Sequence, residues 1–193
     1  ATPRIRVADP VYNAQVICEQ AKEAAEHGAK IVVFPELCIT GYTCNDLFLQ
    51  ELLLEKAKEA LLTIAEETGQ LETLFLVGLP VDKDGRLYNV AAVLYRGRIL
   101  GMIPKKNIPM YAEFYEGRHF TPGEETVTEY RLGKQVIPFG SNLLFRCEEL
   151  PELILGCELC EDLWVAEPPS TSHALMGATV IANLSASHAY YHA

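Results

Sequence analysis

The apolar positions of the chain fall into two kinds of pattern, which alternate along its first half. Residues 11–25 carry apolar side chains at helical spacing, and Asp9 and Pro10 before them form a typical N-cap with proline at the first helical position. Continuous apolar runs at 31–34 and 74–79 predict strands that are buried on both faces. Between these runs, residues 49–68 predict a second amphipathic helix.

The second half of the chain continues with strands that are joined by turns. Turn sequences at 82–85 and 96–98 predict hairpins. The elements predicted around and after them are strands at 88–95, 99–103, 142–146, 153–157 and 179–184, and a helix at 170–176. Residues 104–125 show no clear period, and loops of that length are usually functional. Helices that alternate with hairpins indicate an α/β protein with a mixed sheet.

Composition limits the classes of partner and compartment. The 193 residues carry a formal charge of −10, which disfavours nucleic acids and anionic membranes as partners. Six cysteines follow an N-terminus without the apolar region of a signal peptide, so we expect reduced thiols and a cytoplasmic protein. Residues 1–193 are long enough for one domain with a substantial core, and no apolar run is long enough to span a bilayer.

Three residues with catalytic chemistry follow predicted strands. Glu36 comes after IVVFP, Lys105 after ILGMIP and Cys160 after LILGCEL. Sites in α/β sheets are commonly built at strand ends, although each of these residues alone is most often a solvated loop residue or an inert buried thiol. Together they supply a nucleophile, a base and a cation for an oxyanion, which is the set that amide hydrolysis needs.

The acidic neighbours of Cys160 predict that it needs a cation from elsewhere in the chain. Glu158, Glu161 and Asp162 surround the thiol in sequence, and carboxylates raise the pKa of a thiol. We expect Lys105 to offset their charge.

Longer segments resemble a known family. VVFPELCITGYTCNDLF, IPKKNIPMYAEFYEGRHF, CELCEDLWVAEPPS and ANLSAS are similar to the glutaminase domain of glutamine-dependent NAD synthetase, a branch of the nitrilase (carbon–nitrogen hydrolase) superfamily. The likeness runs from ADPVYNA to NLSAS. It implies a nitrilase-type four-layer α-β-β-α sandwich with mixed sheets, incomplete in this chain. It also implies that Glu36 is the general base, that Lys105 stabilises the intermediate and that Cys160 is the nucleophile.

The resemblance assigns further roles with less specificity. It implies that Glu116 orients the lysine and assists proton transfer, and that Tyr111 and Ser187 contact the substrate. By residue type alone, these would be a solvated carboxylate, a loop aromatic and a turn serine. Alignment with the family favours Lys105 over Lys106 as the catalytic lysine. It likewise favours Cys160 over Cys157, which we expect in a strand core.

The family's reaction is hydrolysis of glutamine to glutamate and ammonia, and the ammonia amidates deamido-NAD on a synthetase domain. The resemblance implies no cofactor for the glutaminase step. ATP and Mg belong to the synthetase domain, whose SGG-type phosphate loop does not occur here. Self-association is expected. The resemblance implies that an arginine for the glutamine carboxylate follows NLSAS, whereas this sequence reads HAYYHA there. We therefore expect residues 1–193 to be a fragment of the hydrolase domain.

Other functions remain open at this point. A free-standing nitrilase-type amidase would share the triad and act on another small amide, and an inactive scaffold would keep the fold alone. A metal or redox module on Cys157 and Cys160 lacks a second ligand pair at the usual spacing. Trp164 could wall a pocket, but we expect it to be packed against the protein.

Overall fold

Three α-helices form where the apolar periodicity predicts them. The computed structural model describes residues 1–187, and its helices are α1 (Pro10–Glu26), α2 (Glu51–Glu67) and α3 (Pro169–Leu175). The Asp9 side chain accepts a hydrogen bond from the Tyr12 N–H at 3.1 Å, which confirms the predicted N-cap of α1. Across residues 1–187, no helix has the length and apolar content that a membrane crossing needs.

The described residues contain nine strands in two sheets. The strands of the larger sheet are β1 (Ile31–Val33), β2 (Leu74–Lys83), β3 (Arg86–Tyr95), β4 (Arg98–Pro104), β5 (Thr128–Leu132) and β6 (Gln135–Phe139). Those of the smaller sheet are β7 (Leu144–Arg146), β8 (Ile154–Leu159) and β9 (Val180–Leu184). The larger sheet has the order β1-β2-β3-β4-β6-β5 and the smaller one β7-β8-β9. Both sheets mix parallel with antiparallel pairs, as predicted.

The two sheets face each other, and helices cover their outer faces. Along β2, Phe75 and Val77 pack under α1 and α2, whereas Leu76 points to the smaller sheet and contributes to a core shared with Leu155 of β8. This alternation explains why β2 is apolar on both faces. Helix α3 lies on the far side of β8, so the layers follow the predicted α-β-β-α order.

One hairpin was missing from the sequence-based prediction. Strands β5 and β6 pair around a turn at Gly133, which has a φ of 57°. Their inward residues alternate as a half-buried hairpin should: Tyr130, Leu132, Ile137 and Phe139 are buried, and the residues between them are more exposed. The hairpin extends the larger sheet at its β4 edge through one parallel pairing of β4 with β6.

Candidate active site

A buried lysine lies between two buried glutamates. Lys105 directly follows β4, and its Nζ lies 2.7 Å from Glu36 Oε1 and 2.7 Å from Glu116 Oε1. The side chains of Lys105 and Glu36 are fully buried and that of Glu116 is 5% exposed. Charges removed from water interact strongly and are costly unless paired, so this cluster holds one ammonium against two carboxylates in a region with little solvent screening.

Glycine on the neighbouring strand makes room for Glu36. The chain leaves β1 and turns at Leu37, which has a φ of 52°, a left-handed conformation that is unusual for a bulky residue. A Cβ on Gly78 of β2 would lie 2.3 Å from the Leu37 nitrogen and 2.8 Å from the Glu36 carbonyl carbon. Gly78 therefore permits the close passage of the turn that carries Glu36.

Glu116 is positioned by the GYTCNDLF segment. This segment, Tyr42–Leu49, consists of short 3-10 turns separated by a kink at Asn45, and its Tyr42 hydroxyl donates a hydrogen bond of 2.7 Å to Glu116 Oε1. Asp46, after the kink, accepts two hydrogen bonds from the Arg118 guanidinium, at 2.7 and 2.9 Å. Because Arg118 lies two residues after Glu116, this bidentate pair fixes the loop that carries the carboxylate.

Cys160 lies at a sharp turn directly after β8. Its φ of 41° lies in the left-handed region, where a non-glycine residue is strained. Burial and the negative charge of Glu36 raise the pKa of the Cys160 thiol, and Lys105 and a hydrogen bond from Ser185 oppose them without reversing the direction. The thiol therefore shares one electrostatic environment with Glu36 and Lys105 and stays protonated until a base removes its proton.

The acids beside Cys160 in sequence have structural partners. Asp162 is buried and accepts hydrogen bonds from the backbone N–H groups of Leu159 at 3.1 Å and Asn107 at 2.7 Å. The Lys106 N–H also donates to it, at 3.2 Å. Asp162 thus joins the end of β8 to the segment that follows Lys105, and it fixes the two halves of the site relative to each other.

The other two acids make similar contacts. Glu161 accepts a hydrogen bond of 2.7 Å from the Tyr111 hydroxyl, and Glu158 accepts one of 3.0 Å from the Ser170 N–H. The carboxylate that contributes most to the raised pKa of the Cys160 thiol is Glu36, from the opposite sheet. Lys105 does lower the thiol pKa, as expected, but only in part.

The remaining predicted residues are distributed as follows. Tyr111 is 54% exposed on the loop after Lys105, and Ser187 is exposed at the end of the described residues. Lys106 lies nearer the surface, while Cys157 is buried in the core between the sheets. The segment 188–193, which reads HAYYHA, lies outside the described residues.

Two expectations about neighbouring residues can be compared with the structure. Trp164 is 73% exposed, so the prediction that it packs against the protein is wrong. Within residues 1–187, no three His, Cys, Asp or Glu side chains lie close enough to hold a metal, and Cys157 and Cys160 are unpaired thiols.

Sequence reasoning missed three residues of the site. Asn89 of β3 donates to Glu36 Oε1 at 2.7 Å and to Glu116 Oε2 at 3.3 Å, the Tyr42 hydroxyl donates to Glu116, and Ser185 lowers the pKa of the Cys160 thiol. Asn89 gave a local signal, since it is the single polar residue in the run 88–95. Tyr42 and Ser185 lie in the segments GYTCNDLF and ANLSAS, but nothing in those segments indicates which residues they contact.

The chain is similar in sequence to enzymes named glutamine-dependent NAD(+) synthetase. The glutamine-dependent NAD(+) synthetase of Mycobacterium tuberculosis is 41% identical over 186 residues, which is 96% of this chain and 27% of that protein. The enzyme of the same name from Thermotoga maritima is 35% identical over 91% of this chain and 27% of its own length. The chain thus spans about a quarter of the length of these relatives.

Solved structures give the same result. A glutamine-dependent NAD(+) synthetase from Cytophaga hutchinsonii superposes with a TM-score of 0.85 at 30% identity, over 97% of this chain and 30% of that one. An amidase from Nesterenkonia sp. AN1 superposes with a TM-score of 0.73 at 20% identity, over 95% of this chain and 62% of that one, and shows the shared fold. The family described as carbon-nitrogen hydrolase matches residues 1–193, and the chain belongs to that family.

Proposed function

We propose that the chain hydrolyses the side-chain amide of glutamine to glutamate and ammonia through a thioester on Cys160. The observation that carries the proposal is the buried Lys105 ammonium, held 2.7 Å from both Glu36 and Glu116. Its positive charge lowers the pKa of the Cys160 thiol, which supports a site shared by the three residues. The likeness to synthetases that are named glutamine-dependent supports glutamine as the substrate.

In the first half of the reaction, the thiol attacks the amide carbon. The thiol proton passes to Glu36, whose pKa is raised chiefly by burial and which therefore suits a general base. A bond forms between the sulfur and the carbon, and the carbonyl electrons move to the oxygen. Within the described residues, Lys105 has two hydrogen-bond acceptors, so its third N–H can bind this oxyanion.

In the second half, the intermediate collapses and water releases the product. The carbon–nitrogen bond breaks as Glu36 returns its proton to the nitrogen, and ammonia leaves behind a thioester. Water then attacks the thioester while Glu36 takes a proton from it. The carbon–sulfur bond breaks, the sulfur regains a proton, and glutamate leaves. Glu116 holds Lys105 in place throughout. Tyr111 is a proposed contact of the substrate, and Ser187 is the proposed contact of the amino-acid end of glutamine.

The wider role follows from the relatives. We expect the ammonia to serve a synthetase domain that amidates deamido-NAD with ATP and Mg, and the hydrolysis step itself to need no cofactor. The six unpaired thiols are consistent with a reducing compartment such as the cytoplasm. Self-association stays a prediction, which sedimentation of the purified protein would check.

The test measures ammonia from glutamine, asparagine, acetamide and butyramide, with hydroxylamine added to trap the thioester as a hydroxamate. We expect glutamine to be preferred and Cys160→Ala to abolish both ammonia and hydroxamate. A clear preference for another amide would replace glutamine as the substrate. Ammonia release by Cys160→Ala, or none from any amide by the unmodified protein, would refute the proposed chemistry.

A further inference from the structure

Asn89 is buried at the centre of the site and contacts all three of its charged residues. Its side-chain Nδ2 donates to Glu36 Oε1 at 2.7 Å and to Glu116 Oε2 at 3.3 Å. Its backbone carbonyl accepts the Lys105 N–H at 2.8 Å. An amide nitrogen carries two hydrogens, so each carboxylate can receive one of them. Lys105, Glu36, Asn89 and Glu116 therefore form a closed ring of hydrogen bonds.

The ring of hydrogen bonds stabilises two carboxylates of like charge in a buried space. Two carboxylates around one ammonium leave a net negative charge in a buried space, and the two anions repel each other. A second cation would neutralise that charge but would compete with Lys105 for the oxyanion. The amide of Asn89 instead holds both carboxylates with neutral donors and leaves the third N–H of Lys105 available.

The amide oxygen supports a role in positioning. Asn89 Oδ1 is buried and has no hydrogen-bond partner among the described residues. Rotating the amide by half a turn would place this oxygen against the carboxylates, so the carboxylates fix its orientation. A buried acceptor without a partner costs stability, and a leucine of similar size would avoid that cost. The cost indicates that the two N–H groups serve the site.

We propose that Asn89 is a positioning residue that fixes Glu36 and Glu116 around Lys105 for amide hydrolysis. This inference rests on the proposed function. With Glu36 Oε1 occupied by Lys105 and Asn89, Glu36 Oε2 accepts the Ala186 N–H at 3.2 Å and keeps a lone pair for the thiol proton. Loss of the amide would free both carboxylates to rotate about the ammonium.

The first prediction concerns the rate of hydrolysis. Asn89→Leu keeps the size of the side chain and removes both donors, and we expect kcat to fall by about 10²-fold because the base moves from its position, while KM changes little. The kcat of Asn89→Asp should fall further, since this substitution places a third carboxylate beside the two glutamates. Thr73→Val is the matched control, because it removes a buried hydrogen bond of 2.7 Å to Ala29 away from the site.

The second readout distinguishes positioning from stability. The titratable groups that face Glu36 are Lys105, Glu116, Cys160 and Tyr42; the Asn89 amide also faces it and lowers the Glu36 pKa. In Asn89→Leu that pKa should rise, and the acid limb of the kcat profile should move to higher pH. Infrared titration of the carboxyl band, identified by its loss in Glu36→Gln, follows the same group without substrate.

The outcomes separate the two proposals. A protein that hydrolyses no amide but shows the infrared shift refutes the proposed function and retains Asn89 as the group that holds Glu36. If the infrared band of Glu36 does not shift in Asn89→Leu, the proposed role of Asn89 is overturned. The same holds if Asn89→Leu lowers only the stability, as Thr73→Val is expected to do. If Asn89→Leu does not fold, Asn89→Ser keeps one donor in a smaller side chain. It should then give an intermediate shift, and no shift would again overturn the role.

Discussion

Gly78→Ala tests whether the close passage of the Glu36 turn sets the rate. The new Cβ would lie 2.3 Å from the Leu37 nitrogen, and an ordinary contact needs 3.4 Å, so the turn or β2 must move by about 1 Å. The contacts are to backbone atoms and cannot be relieved by a side-chain rotation. A displacement of about 1 Å at a catalytic group costs about 10²-fold in rate, and overpacking costs about 1–3 kcal/mol of stability.

The assay compares glutamine hydrolysis with urea unfolding in two variants. Gly101→Ala is the matched control, since its Cβ would meet the ends of flexible side chains that come from the smaller sheet and the residue before it, Phe145 at 2.8 Å and Leu143 at 3.0 Å. We expect both substitutions to lower the free energy of unfolding, and only Gly78→Ala to lower kcat by about 10²-fold. Equal kcat values in the two variants would refute the link between this glycine and the position of Glu36.

Three further predictions concern the charges of the site. Asp162→Asn should lower the free energy of unfolding in urea by about 1.5–3 kcal/mol, because backbone N–H groups would lose a charged acceptor. An unchanged unfolding midpoint would contradict this. Glu116→Gln removes a negative charge that raises the Glu36 pKa. Because activity needs ionised Glu36, the acid limb of the kcat profile should move to lower pH. An acid limb that stays in place would argue against Glu36 as the base. Alkylation of Cys160 by iodoacetamide should increase with pH only above the range of an ordinary thiol, and full reactivity at neutral pH would contradict its raised pKa.

The elements that local patterns specify could be predicted from the sequence. Helix α1 follows from its N-cap and apolar periodicity, and its observed bounds, Pro10–Glu26, agree with the prediction within a residue. The start of α2 was less well predicted, because residues 42–49 adopt kinked 3-10 turns with partners far away in sequence, such as Glu116 for Tyr42. Local patterns carry no information about such partners.

Strand ends identified Glu36, Lys105 and Cys160 as candidates, and the structure brings Glu36 and Lys105 into direct contact. The sequence did not reveal how the surrounding charges are distributed. From the sequence, Asp162 is expected to repel a thiolate at Cys160. In the structure it accepts hydrogen bonds from backbone N–H groups in both halves of the site. Whether a carboxylate acts by charge or by hydrogen bonding depends on its donors, which only the folded chain defines.

The two sheets contribute to the site at different times during synthesis. The ring around Lys105 is built entirely from residues 36–116, whereas the thiol arrives with β8 of the second sheet. Chains emerge N-terminus first, so the base and the cation can assemble before the nucleophile leaves the ribosome. We therefore expect Cys160 to gain its base last, when the sheets close on each other, and pulsed alkylation of ribosome-bound chains of increasing length would show whether it does.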